Sequence, residues 1–217
     1  LGAARQTALA LTNLRLRARL VERQVFDHDL ELARKIQVNF LPREAPRLPG
    51  LTFAVSYTPA MAVGGDFYDF LELPGGRVGI TIGDVSGKGV SAALYMAKVS
   101  SELRLRAAGH SEPADILRQV NEALADTNEE GMFVTALVVS LDPATGTFTF
   151  ASAGHHAPLV RRASGETVQL TSPGDAPLGL AHGTEFARQE QRLQPGDSLV
   201  VYTDGVTEAM CPSRALF

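Results

Sequence analysis

Between residues 51 and 58 larger apolar side chains alternate with small or polar ones: Leu51, Phe53, Val55 and Tyr57 against Thr52, Ala54, Ser56 and Thr58. A period of two predicts a strand with one buried face. Phe67–Leu71, Val78–Ile82, Thr135–Leu141, Thr147–Ala151, Pro158–Arg162, Glu185–Gln191 and Ser198–Tyr202 are further strand-like runs. The turns joining them are short, such as Pro74-Gly75-Gly76, Pro143-Ala144-Thr145-Gly146, Ser164-Gly165-Glu166 and Pro195-Gly196-Asp197. Short turns join antiparallel neighbours, because a parallel pair needs a crossover. Between the runs the period changes to that of a helix. One helix is expected over about 91–108 with Leu94, Ala97, Ser101 and Leu105 in line. A second starts at Ser111-Glu112-Pro113, with Ile116, Leu117, Val120 and Leu124 on one face. Strands, two helices, then more strands predict an α+β domain with helices layered on a mainly antiparallel sheet.

Ahead of this lies a different texture. Residues 1–41 lack proline, have only Gly2 as glycine, and are rich in Leu, Ala, Arg and Glu, which predicts one long helix. Leu14, Ala18, Val21, Val25, Leu32, Ile36 and Phe40 form a stripe interrupted by His28 and Asp29. Such a helix needs a partner, either a second copy in a parallel coiled coil or its own domain, and the pattern favours neither. Pro42, Pro46 and Pro49 end it. The expected organisation is therefore a helical linker at 1–41 and a domain at 42–217.

Composition narrows the function classes. With 45% hydrophobic and 20% charged residues in 217, the chain is that of an ordinary globular protein. A net charge of −4 without a basic patch argues against nucleic acid as a partner. The single cysteine, Cys211, excludes an internal disulfide framework and suits a reducing, cytoplasmic setting. No apolar run approaches the roughly 20 residues of a membrane span. The chain opens on Leu1 and stops at Phe217, as a piece cut from something longer would.

The candidate chemistry centres on Arg77–Ala93, RVGITIGDVSGKGVSAA. A strand delivers Asp84 to a turn rich in glycine, and a helix carries the chain away. A Walker phosphate loop would need glycine at 82 and a hydroxyl at 89, where Ile82 and Gly89 stand. A lone motif of this kind would be an ordinary capped turn. Two others accompany it: VGGDFYD, with Asp66, and VVYTDGVTEA, with Asp204. Carboxylates without histidine or cysteine partners select hard cations, Mg²⁺, Mn²⁺ or Ca²⁺. Three aspartates repel one another unless a cation gathers them. Cations so held activate water for attack on a phosphoryl group, which requires no protein nucleophile. The chain has neither a G-x-S-x-G elbow nor a phosphate cradle around Cys211. Asp142, Asp175 and Asp197 stand at turn positions.

The ordered set V-G-G-D-F-Y-D, G-D-V-S-G-K-G-x-x-A-A, M-F-V-T-A, A-G-H-H-A-P-L, P-L-G and Y-T-D-G-V-T-E-A spans residues 63–209. It resembles the PPM (type 2C) metal-dependent serine/threonine protein phosphatases, in the bacterial SpoIIE/RsbU-like branch. The resemblance implies an αββα sandwich and a two-metal site for Mn²⁺ or Mg²⁺. By it Asp84 bridges both metals, the Val85 carbonyl and Asp66 serve the second, and Asp204 completes the first. Gly65, Gly83 and Gly205 would then let backbone approach the ions. Asp69 and Lys88 are weaker candidates, for support of the site and for phosphate contact, and His155 and His156 fall in a stretch that is structural in the family. The family pattern continues to an Asp-Asp segment that supplies a further ligand, and Phe217 precedes any such segment. The expected domain is therefore incomplete at its C-terminus, and its activity alone is in doubt.

Residues 31–42, ELARKIQVNFLP, resemble the helix end that precedes this phosphatase branch, where an upstream sensor domain attaches. The implication is a regulatory helix acting through Ile36, Gln37 and Phe40. The leading expectation is a phosphatase acting on phosphoserine or phosphothreonine of a signalling protein, an anti-sigma-factor antagonist by family analogy. The alternatives are a catalytically inactive dimerisation and partner-binding module that keeps the fold, and a domain stabilised by a structural ion.

Overall fold

The computed structural model describes residues 2–59, 61–128, 131–171, 176–209 and 211. Helix α1 (Gly2–Val38) leads to a long irregular stretch and then β1 (Phe67–Leu73) and β2 (Arg77–Val85). Helices α2 (Val90–Ala107) and α3 (Pro113–Ala125) follow, then β3 (Val134–Leu141), β4 (Thr147–Ala153), β5 (Leu159–Arg161), β6 (Thr167–Gln169), β7 (Gln189–Arg192), β8 (Ser198–Val200) and the single turn α4 (Asp204–Thr207). Five strands form one sheet in the order β1-β2-β3-β4-β7, and three form a second in the order β6-β5-β8. Every ladder is antiparallel, as the short turns require.

The architecture is an αββα-type sandwich with a long N-terminal helix, as the resemblance implied. Helices α2 and α3 cover one face of the large sheet, where Met96, Leu103, Ile116 and Leu124 meet Phe67, Ala136, Val138 and Ala151. The small sheet covers part of the other face, over Leu137, Val139, Phe148 and Phe150. Strand β3 is buried on both sides for most of its length, and this is why it reads as the unbroken run VTALVVSL. The outer strand β1 keeps the alternation of a strand whose second face is less covered. The P-L-G motif bonds Leu178 to Val134 in both directions and is held by Asn121, whose Oδ1 accepts from Gly179 N at 2.9 Å.

Several expectations are corrected. The 51–58 segment has no ladder partner among the described residues, apart from a local bridge between Leu48 and Leu51. Its alternation is nonetheless used: Phe53 meets Phe70 edge-on at 5.3 Å and Tyr57 lies 6.1 Å from Tyr68. On α2 the line Leu94–Leu105 is not the buried one. Leu94 and Leu105 are 69% and 62% exposed, whereas Ala92, Met96, Val99 and Leu103 are buried. Helix α2 carries apolar or small residues on both sides, so its periodicity could not choose a face. The run expected over 185–191 pairs only from Gln189, and Phe186 turns into the helical core instead. Strand β6 was not anticipated, and α3 starts at Pro113 with Glu112 before it and no side-chain cap.

Candidate metal centre

Three elements bring their acids to one place. Asp66 immediately precedes β1, Asp84 is the penultimate residue of β2, and Asp204 opens α4, four residues after β8, which ends at Val200 rather than at the expected Tyr202. One carboxylate oxygen from each lies within 4.8 Å of the others. The ladder registers explain two of the positions: Phe67 pairs with Gly83, setting Asp66 beside Asp84, and Asp84 pairs with Thr135 of β3. Close approach is possible because residue 65 is glycine. A Cβ there would stand 2.7 Å from the Val85 carbonyl oxygen and 2.9 Å from Asp84 Oδ1. At Gly83 the crowding comes from packing, with a Cβ 2.6 Å from the Phe67 ring and the Thr135 carbonyl. Gly205 meets no such restriction.

Electrostatics give the arrangement its character. Burial first, then the hydrogen bond and charge of Asp66 and the charge of Asp204, push Asp84 up from its ordinary 3.8 to about 7. Mutual repulsion of this kind is what a divalent cation relieves. The Val85 carbonyl and Asp84 carboxylate facing the bare Gly65 backbone add hard oxygen donors, so the residues present fit Mn²⁺ or Mg²⁺. Asp84 and Asp204 line a cavity of about 320 Å³ with Ser86, Gly87, Phe133, Thr135, Gly154, His155 and His156.

The acids are held from several directions. The Thr203 hydroxyl donates to Asp66 Oδ2 at 3.0 Å, and the Tyr57 hydroxyl donates to the Asp66 carbonyl at 3.3 Å. Gln37, buried at the end of α1, grips the Gly64 peptide twice. Its Nε2 donates to the Gly64 carbonyl at 2.6 Å, and its Oε1 accepts from Gly64 N at 3.1 Å. Phe40 packs against the helical core, while Ile36 is exposed. Asp69 is not brought to the acids. It is buried against α2, where Arg104 Nε donates to Asp69 Oδ2 at 2.5 Å and Arg104 Nη2 donates to the Phe40 carbonyl at 2.6 Å. Lys88 is exposed on the glycine turn and is not among the residues lining the cavity. Asp142 and Asp197 cap turns as expected, accepting from Ala144 N and from Gln194 N and Ala163 N. Asp175 lies outside the described residues. Sequence pattern assigns Tyr57 to an apolar face and Thr203 to the Asp204 motif without revealing either hydrogen bond, and Arg104 carries no motif at all.

This sandwich, with its carboxylate cluster beside the β2–α2 turn, is the PPM/PP2C-type fold of the metal-dependent serine/threonine phosphatases. The chain belongs to the SpoIIE family, for the family profile of Stage II sporulation protein E matches residues 74–217. Protein IcfG of Synechocystis sp. is 33% identical over 87% of this chain and 34% of its own length. Phosphoserine phosphatase RsbU of Bacillus subtilis is 27% identical over 85% of the chain and 55% of its own length. The chain thus spans about a third to just over half of these relatives. Among solved structures, the RsbU and RsbW domains of Rv1364c from Mycobacterium tuberculosis superpose with a TM-score of 0.62 at 33% identity, covering 70% of this chain and 42% of that one. The SiaA-PP2C domain of Pseudomonas aeruginosa gives 0.74 at 24% identity over 86% of this chain and 74% of that one, a likeness of fold.

Proposed function

We propose that the chain is the catalytic module of a Mn²⁺- or Mg²⁺-dependent phosphatase that hydrolyses phosphoserine or phosphothreonine on a signalling protein. The observation that carries this is the meeting of Asp66, Asp84 and Asp204, brought from positions 66, 84 and 204 to within 4.8 Å. Asp84, which interacts with both other acids, would hold the cations together with Asp66 and Asp204, and the Val85 carbonyl would add a donor. The chemistry such cations supply is acidification of a water and neutralisation of phosphoryl charge. The chain's residues hold the three carboxylates together, with Asp84 and Asp204 open to the cavity. The name of RsbU supports a phosphoserine substrate. An anti-sigma-factor antagonist follows from the family resemblance alone.

The test is Mn²⁺-dependent hydrolysis of a phosphoserine peptide by the chain and by Asp84→Ala. Turnover that needs Mn²⁺ and vanishes in the variant is expected. A folded chain that binds Mn²⁺ but turns over no phosphoester points to the binding-module alternative.

Helix α1 is the regulatory input of this reading, the place where an upstream sensor domain attaches. Its end holds the Gly64 peptide through Gln37, two residues before Asp66, and the Phe40 carbonyl is tied to Asp69 through Arg104. Farther back, Leu14, Val21, Val25, Leu32 and Ile36 are each more than half exposed, a surface suited to a second α1 in a homodimer. Gln37→Leu is expected to lower Mn²⁺-dependent turnover without changing oligomeric state, and Leu14→Ser with Val21→Ser to shift a dimer toward monomer in light scattering. Unchanged turnover in Gln37→Leu would remove the helix from the mechanism.

A further inference from the structure

Asp204 is the acid with the least scaffold beneath it. Asp84 stands in β2, which is paired along both edges, and Asp66 adjoins a strand of seven residues. Strand β8 stops at Val200 after three residues, and α4 is a single turn. Residues 201–203, which join the two, belong to no helix or strand. Something other than secondary structure must set where Asp204 stands.

The two histidines after β4 supply it. His155 is buried, and its Nε2 lies 3.1 Å from the Tyr202 carbonyl oxygen. A carbonyl only accepts, so Nε2 carries the proton. Nδ1 is then the acceptor, and the Thr135 hydroxyl at 3.0 Å donates to it. Thr135 is the ladder partner of Asp84. The backbone of His155 is fixed in turn by Ser152, whose Oγ accepts from His155 N at 3.1 Å and donates to the His155 carbonyl at 3.0 Å. On the exposed side the His156 ring stacks on the Tyr202 ring at 5.4 Å, with 13° between planes. One residue, two before Asp204, is thus held by its carbonyl from beneath and by its ring from outside.

The geometry points to His155 as a positioning residue that registers the Tyr202–Asp204 segment against Asp84, with His156 steadying the same segment through Tyr202. His155 acts through the placement of Asp204. The inference rests on the metal reading above and adds a cause for the cluster's third corner. Burial supports it by holding the imidazole neutral, its pKa down to about 4, the form with one donor and one acceptor.

The experiment compares the chain with His155→Leu and His155→Gln by titration with Mn²⁺ and by hydrogen exchange of residues 201–207. Leucine removes both polar contacts, whereas glutamine keeps a donor toward the Tyr202 carbonyl. Groups that orient a ligand from behind contribute about 10- to 100-fold to metal affinity, and a loss of that order is expected for leucine, with faster exchange at 202–205 and partial recovery in glutamine. A folded His155→Leu with unchanged Mn²⁺ affinity overturns the positioning role, and so does a His155→Gln as impaired as leucine. A wild-type chain that binds no Mn²⁺ overturns the metal reading and this inference with it. Should leucine not fold, His156→Ala frees only the exposed side of Tyr202. It is expected to speed exchange at 202–205, and unchanged exchange there overturns the clamp.

Discussion

Replacing Asp84 by asparagine should strengthen the metal-free protein while removing its response to metal. Burial and the neighbouring Asp66 and Asp204 push Asp84 from 3.8 to about 7. An acid whose pKa is raised on folding favours the folded state while protonated. That contribution is complete below about pH 4 and is lost as pH rises through about 7. At about 1.36 kcal/mol per pH unit the whole rise corresponds to about 4 kcal/mol. The carboxylate is only half-buried, so solvent screening reduces this to about 1–2 kcal/mol. Urea unfolding in the presence of a chelator, followed from about pH 5 to about pH 9, should therefore lose about that much stability in the wild type. Asp84→Asn should lose much less and be the more stable protein at the alkaline end.

Adding Mn²⁺ should reverse the order. A ligand bound only by the folded state contributes about 2.7 kcal/mol at a hundredfold excess over its Kd. The wild type should gain on that scale and Asp84→Asn should gain little. An asparagine variant less stable than wild type in chelator at alkaline pH would refute the claim that burial and the neighbouring acids disfavour the Asp84 carboxylate. So would a wild-type profile flat across the same range.

Two other outcomes follow from the same geometry. Gly65→Ala places a Cβ 2.7 Å from the Val85 carbonyl oxygen and 2.9 Å from Asp84 Oδ1, so Mn²⁺ affinity by calorimetry should fall by about tenfold or more; wild-type affinity would mean that this carbonyl does not face the site. Arg104→Met should destabilise by about 3 kcal/mol or more, because the Asp69 side chain it abandons is only 8% exposed. Asp69→Asn should cost about 1 kcal/mol, because Arg104 is 41% exposed and keeps the Phe40 carbonyl, and urea unfolding that gave the reverse order would contradict this reading.

What could be read from the sequence was what is local. Each acid of the cluster stands in a short motif with glycine beside it, and β2, β3 and α3 declare themselves by unbroken or periodic apolar runs. Pairing is not local, which is why the alternating 51–58 segment looked like a strand and proved to be an extended stretch lying over Tyr68 and Phe70. Face selection failed on α2 for a related reason: either side of that helix could have met the sheet. The supports of the site were the least legible, since Gln37, Thr203 and His155 act across gaps of 27, 137 and 47 residues. Of the three, only Gln37 is marked as a candidate by the sequence, through the helix motif that contains it.

Those supports are unevenly distributed, and the unevenness bears on control. Asp84 is fixed by β2, whose register with β1 and β3 cannot slip by one residue without turning the core face of the sheet to solvent. Asp66 and Asp204 stand at the ends of weaker elements and depend on side chains from elsewhere: Gln37 through the Gly64 peptide for one, His155 through the Tyr202 carbonyl for the other. The Thr203–Asp66 hydrogen bond joins the two. Displacing Asp84 would require disturbing the sheet, whereas displacing Asp66 requires breaking a few hydrogen bonds of about 1 kcal/mol each. Displacement of the α1 end would therefore act first on Asp66, and through Thr203 on the segment that bears Asp204.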